Sequence, residues 1–201
     1  MKRLLFILML FISTVSFAQQ AEKKTKQIPI SVSVFNNAAQ MPFGGTYLIT
    51  SVPVHPGISF STEYQWNKSA KNRIFQTFNL AYFFHRFSEH GIMAYSEIAY
   101  MHMFKPNFGL GMMLGFGYEH SIADFPIYTM ENGKYERTKR FGRSQLMGSI
   151  SMEVDYKPNC FPFPLFFKYQ FWMHGPYAAN YVPVMPSTAV HFGVKINFTK
   201  S

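Results

Sequence analysis

The sequence predicts an all-β fold, an antiparallel up-and-down transmembrane β-barrel of about eight strands. Three observations lead there. The chain opens with an export leader. It is rich in aromatics yet has neither a membrane helix nor a disulfide. Its apolar residues recur with a period of two from one segment to the next.

The leader reads MKRLLFILMLFISTVSFAQQ. Lys2 and Arg3 supply a positive start, and the apolar run from Leu4 to Ile12 is too short to cross a bilayer as a helix. Ser16 and Ala18 place small residues at the −3 and −1 positions of a cleavage site. Residues 1–18 are thus expected to be a signal peptide cut before Gln19. Gln19 stands where a lipoprotein would carry cysteine. The expected organisation is signal peptide 1–18, a basic polar segment 19–27, and a barrel domain 28–201.

Removing Lys2 and Arg3 lowers the net charge by two from +9. About 183 residues remain, enough for one domain. Cys160 is the one cysteine, so no internal disulfide supports the exported chain. Aromatics make up 18% of the sequence and charged residues 14%. Runs such as LAYFF and FPLFF are far too short for a membrane helix. Hydrophobicity of this kind, held in alternation rather than in runs, is what membrane barrels carry.

Seven strands read clearly. GISFSTEYQW sets Ile58, Phe60, Tyr64 and Trp66 against Ser59, Ser61, Glu63 and Gln65. NRIFQTFNLAYFFH sets Ile74, Phe78, Leu80, Tyr82 and Phe84 against Thr77, Asn79, Ala81 and His85. GIMAYSEIAYMHM places Ile92, Ala94, Ile98 and Tyr100 opposite Glu97. FGLGMMLGFGYEH alternates Phe108, Leu110, Met112, Leu114, Phe116 and Tyr118 with Gly109, Gly111, Met113, Gly115, Gly117 and Glu119. SQLMGSISMEVDY, FPLFFKYQFWM and STAVHFGVKINF complete the set. An even strand number asks for one more, and 28–35 competes with 45–52 for the place. Short links at 67–71, 104–107 and 157–161 alternate with links at 86–90, 121–143 and 174–186, the pattern of short periplasmic turns and longer extracellular loops.

A soluble barrel or sandwich alternates too, with its apolar face inward. Gly109, Gly111, Gly115 and Gly117 argue against that orientation. On a water-facing surface they weaken the strand for no gain, whereas inside a narrow barrel they leave room for large side chains from facing strands. Tyr64, Trp66, Tyr82, Tyr100, Tyr118 and Tyr156 lie near strand ends, where interface girdles form.

With those strands in place, the chain resembles a small eight-stranded outer-membrane β-barrel of Gram-negative bacteria. The resemblance covers the mature chain and rests on the architecture and on the last strand. There Phe198 follows Val190, Phe192, Val194 and Ile196 at alternate positions, similar to the insertion signal read by the barrel-assembly machinery. Thr199, Lys200 and Ser201 follow Phe198, where the family pattern usually stops at the aromatic. The resemblance implies export to the cell outer membrane, contact with its lipid, transient contact with the insertion machinery, and a place for the barrel alone or beside a larger outer-membrane complex.

Apolar faces outward turn Glu63, Glu97, Glu119, Glu153, Lys168, His191 and Lys195 inward, with Asn79, Asp155 and Gln170. An eight-stranded interior is just filled by side chains, and charges buried there need partners. Glu153, on the strand before Lys168, is the nearest candidate partner for that lysine.

The segment HRFSEH places His85, Ser88 and Glu89 at the outer rim as candidate base, nucleophile and orienter. Lipid A deacylases show a similar set, but with His and Ser two apart on one face. Here the two are three apart. The loop SIADFPIYTMENGKYERTKRFGR carries Lys134, Arg137, Lys139, Arg140 and Arg143, suited to lipopolysaccharide phosphates, with a hairpin tip expected at Asn132 and Gly133. His55, His102, His120 and His174 show no metal-ligand spacing and read as interface or loop residues. No cofactor or metal motif is present, and an exported chain has no nucleic-acid partner. Three function classes follow: a structural, interaction or accessory-subunit barrel, a lipid-modifying acyl hydrolase, and a small channel.

Overall fold

The computed structural model describes residues 28–42, 54–86, 88–126, 128–131, 134–137, 141–177 and 182–198. The expected signal peptide, the 19–27 segment and the candidate strand at 45–52 lie outside these residues.

Eight strands form a closed antiparallel barrel: β1 (Ile28–Ala38), β2 (Pro56–Gln65), β3 (Asn72–His85), β4 (Glu89–Lys105), β5 (Phe108–Ala123), β8 (Arg143–Tyr156), β9 (Leu165–Gly175) and β10 (Met185–Phe198). Each pairs with its barrel neighbours, and β1 closes on β10 from Ile28↔Phe198 to Ala38↔Thr188. Two short strands between β5 and β8, β6 (Tyr128–Glu131) and β7 (Lys134–Arg137), form a separate hairpin. Its expected tip, 132–133, lies outside the described residues. Closure satisfies the ladder of every strand and leaves no edge, which a strand in lipid requires.

The alternation read from the sequence sets the faces. Along β5, Leu114 and Phe116 point outward, each 65% exposed, while Gly109, Gly111 and Met113 are buried. Ile74, Phe78, Leu80, Ile98, Ile150 and Phe192 extend this apolar belt around the barrel. Tyr64, Trp66, Tyr100 and Tyr156 edge it at the short-turn end, and Tyr82 and Tyr118 at the other.

Strands β3 and β4 stay paired up to His85↔Glu89, so the link between them is three residues, 86–88, rather than a long loop. Three links, at 66–71, 106–107 and 157–164, lie at one end with the start of β1 and the end of β10. The strand ends joined by 39–55, 86–88, 124–142 and 176–184 lie at the other, called the long-loop end.

The inward side chains stack in alternating layers. Phe35, Phe83, Met93, Met147 and Trp172 form an apolar cluster towards the long-loop end. Phe75, Ala99, Met101 and Met113 form a second towards the short-turn end. Polar layers lie between and beyond them. Gly115 makes one of these layers possible: a Cβ there would come within 2.6 Å of Glu97 Cγ and 2.4 Å of Ser149 Oγ. The inward glycines thus create the space that larger facing side chains occupy.

Candidate functional site in the barrel interior

The middle layer centres on Glu97 of β4, whose side chain is fully buried. Its Oε2 accepts from Lys168 Nζ at 2.5 Å. Its Oε1 accepts from Ser151 Oγ at 2.6 Å, Ser149 Oγ at 3.3 Å and Gln170 Nε2 at 3.4 Å. A carboxylate with one cationic and three neutral donors is compensated for its loss of water. The Gln170 carbonyl in turn accepts from Tyr95 Oη at 3.3 Å and lies 3.1 Å from His191 Nε2. An amide oxygen can only accept, so His191 carries its proton on Nε2. Its Nδ1 then accepts from Ser33 Oγ at 3.3 Å, and its ring stacks on Phe35 at 4.5 Å.

Lys168 and Glu153 are direct ladder partners across β8 and β9. The lysine nevertheless reaches to Glu97 on β4, which corrects the neighbouring-strand partner expected from the sequence. Glu153 belongs to the layer at the short-turn end. There Lys195 Nζ donates to Glu153 Oε1 at 2.7 Å and Asp155 Oδ2 at 2.8 Å, with Glu63 Oε1 at 3.8 Å. Arg73 donates to Glu63 Oε2 at 2.9 Å. Sequence reasoning omitted Arg73, although it stands on the inward face of β3 two residues before Phe75. A vestibule of about 530 Å³ opens onto this cluster, lined by Glu63, Arg73, Asp155 and Lys195 among others. Above it, the space bounded by Ser33, Asn79, Glu153, Lys168 and His191 shrinks to about 20 Å³, room for about one water.

The third polar layer lies at the long-loop end and holds Glu119, which the sequence placed inside. It also holds His174, which the sequence left as a loop residue. His174 is the penultimate residue of β9 and points inward, 2% exposed, with its Nδ1 2.7 Å from Glu119 Oε1. Trp172 Nε1 donates to Glu119 Oε2 at 3.2 Å. Glu89 joins them: its Oε2 accepts from Ser121 Oγ, and from Arg143 Nη2 at 3.0 Å. Period two did carry this signal, since His174 follows Lys168, Gln170 and Trp172 at even steps.

No hydrogen bond joins the side chains of the rim candidates His85, Ser88 and Glu89 among the described residues. Ser88 is tied to His85 by its backbone, N to O at 3.0 Å. The His85 ring stacks on His55 at 3.7 Å, and Glu89 is engaged by Ser121 and Arg143. His55 lies in the link before β2, as expected of a loop residue, but is buried. In the basic loop, Lys134 is exposed on β7, which ends at Arg137. Lys139 and Arg140 lie outside the described residues. Arg143 is the first residue of β8 rather than a free loop base. Its guanidinium is held by Glu89 and by the Tyr177 carbonyl at 2.7 Å, and it lies over the Tyr177 ring. The backbone of Phe198 pairs with Ile28 at the seam.

Closure, an outward apolar belt and an interior filled by alternating polar and apolar layers define a small eight-stranded transmembrane β-barrel. In architecture it resembles the small eight-stranded barrels of bacterial outer membranes. No family model matches the sequence, and no curated protein matches it. Among solved structures it is similar to Neisserial surface protein A, at 11% identity over 86% of this chain and 96% of that one, with a TM-score of 0.47. It is similar to the outer membrane enzyme PagL, at 9% identity over 84% of this chain and 98% of that one, TM-score 0.45. A third is Ail, the attachment invasion locus protein of Yersinia pestis, at 12% identity over 85% and 97%, TM-score 0.41.

Proposed function

We propose that the protein is an integral outer-membrane barrel with a structural or interaction role, standing alone or as an accessory subunit of a larger complex, and that it does not conduct. The observation that carries this reading is the Glu97–Lys168 bridge with its Gln170 and His191 extensions. It joins β4, β9 and β10 through the middle of the barrel, between two apolar clusters. A solute path would have to break a buried ion pair, at about 3–5 kcal/mol for a charge left alone.

In this reading the long-loop end faces outward, and Lys134, Arg137, Lys139 and Arg140 meet lipopolysaccharide phosphates. Arg143 is excluded from that role because Glu89 already engages it. Purified protein in planar bilayers tests the reading. It predicts no stepwise conductance, and reproducible single-channel steps would contradict it.

A further inference from the structure

We propose that Glu89, Glu119 and His174 bind one divalent transition-metal cation, Zn²⁺ foremost, inside the long-loop end of the barrel. One ligand atom from each of the three residues lies within 4.8 Å of the other two, and all three residues are buried. A zinc ion with bonds of about 2.0–2.2 Å spaces tetrahedral ligand atoms at about 3.3–3.6 Å, within reach of small side-chain rotations.

Unpartnered atoms point to the same place independently. Glu119 Oε1 and both His174 ring nitrogens are buried without a hydrogen-bond partner. His174 Nδ1 and Glu119 Oε1 approach to 2.7 Å, yet without the alignment a hydrogen bond needs. Two groups placed this way share a point beside them rather than a proton between them. A protonated ring makes this contact an ion pair, but neither N–H then has an aligned acceptor. A cation engages the imidazole and the carboxylate oxygen together.

The surroundings have the features of a supported metal site. Trp172 Nε1 anchors Glu119 Oε2 and leaves Oε1 beside His174 without a hydrogen bond. Ser121 and Arg143 anchor Glu89 Oε2. Gln145 lies directly across from Glu119 in the β5–β8 ladder. Its Nε2 donates to the Pro176 carbonyl, while its Oε1 is buried and unpartnered, a candidate fourth ligand. Two carboxylates face one arginine, so the cluster has room for added positive charge. The mixed imidazole and carboxylate set favours Zn²⁺ or a neighbouring first-row ion over Mg²⁺ or Ca²⁺, which prefer oxygen alone.

The test uses the full chain without an affinity tag, folded in detergent, stripped with EDTA and titrated with Zn²⁺ by calorimetry. Fold is verified by heat-modifiable electrophoretic mobility. The expected result is one Zn²⁺ per chain, with affinity reduced at least tenfold in Glu119→Gln and His174→Gln and unchanged in His90→Gln on the nearby hairpin. Absence of stoichiometric binding by the wild type, or undiminished affinity in folded His174→Gln, would overturn the proposal. Should both variants fail to fold, X-ray absorption at the zinc edge of the wild type decides. One imidazole with oxygen ligands supports the site, and several imidazoles or a sulfur ligand overturn it.

Discussion

Lys168 stands beside Glu153 in the β8–β9 ladder but places its ammonium 2.5 Å from Glu97, on the far side of β8 and β5. This contact ties two regions of the wall together through the interior. Removing Lys168 alone leaves Glu97 buried with only neutral donors, which costs about 3–5 kcal/mol. Lys168→Met is therefore expected to lower the unfolding midpoint strongly in detergent. Replacing both partners by apolar residues of similar size is often neutral or better, so Lys168→Met with Glu97→Met is expected to recover most of the loss. Urea unfolding of the two singles and the double measures this coupling, and additive losses would show that the pair is not a unit.

Gly115 gives a steric test of the same layer. A side chain there meets Glu97 and Ser149, whereas a Cβ at the outward-facing Gly148 meets nothing within 4 Å. Overpacking a filled interior costs about 1–3 kcal/mol. Gly115→Val is expected to destabilise by that amount and Gly148→Val to leave stability nearly unchanged. Equal effects of the two in a urea series would contradict the assignment of faces.

The bases near the long-loop end divide into two kinds. Neutralising Lys134, Arg137, Lys139 and Arg140 together to Gln is expected to reduce lipopolysaccharide co-purification several-fold with little change in unfolding. Arg143→Gln is expected to do the reverse, because it strips Glu89 of its cation. Lipopolysaccharide content and unfolding midpoint, measured on the same preparations, separate the two kinds.

Much of this barrel was legible in its sequence because a strand exposes its faces residue by residue. Glycines alternating with Leu114 and Phe116 announced which face was crowded, and the Ile28 to Phe35 alternation belongs to a strand that closes the barrel on β10. What crosses the interior was not legible. The ladder offers Lys168 its neighbour Glu153, while the reach to Glu97 depends on strand tilt and on the space Gly115 leaves. Glu89, Glu119 and His174 are far apart in sequence and meet only through closure. The partners of the rim residues were not legible either. His85 and Glu89 are ladder partners, yet the ring of one stacks on His55 and the carboxylate of the other is engaged by Ser121 and Arg143.

The central claim is that the apolar belt lies in lipid while polar and apolar layers fill the interior. Leu114→Arg tests it most directly, since Leu114 sits midway along β5 and points outward. Arginine at a bilayer midplane costs about 2–4 kcal/mol, while on a water-exposed surface the change is worth no more than about 0.5 kcal/mol. Reversible unfolding from phospholipid vesicles is predicted to show the larger loss. A stability within experimental error of the wild type would contradict the account.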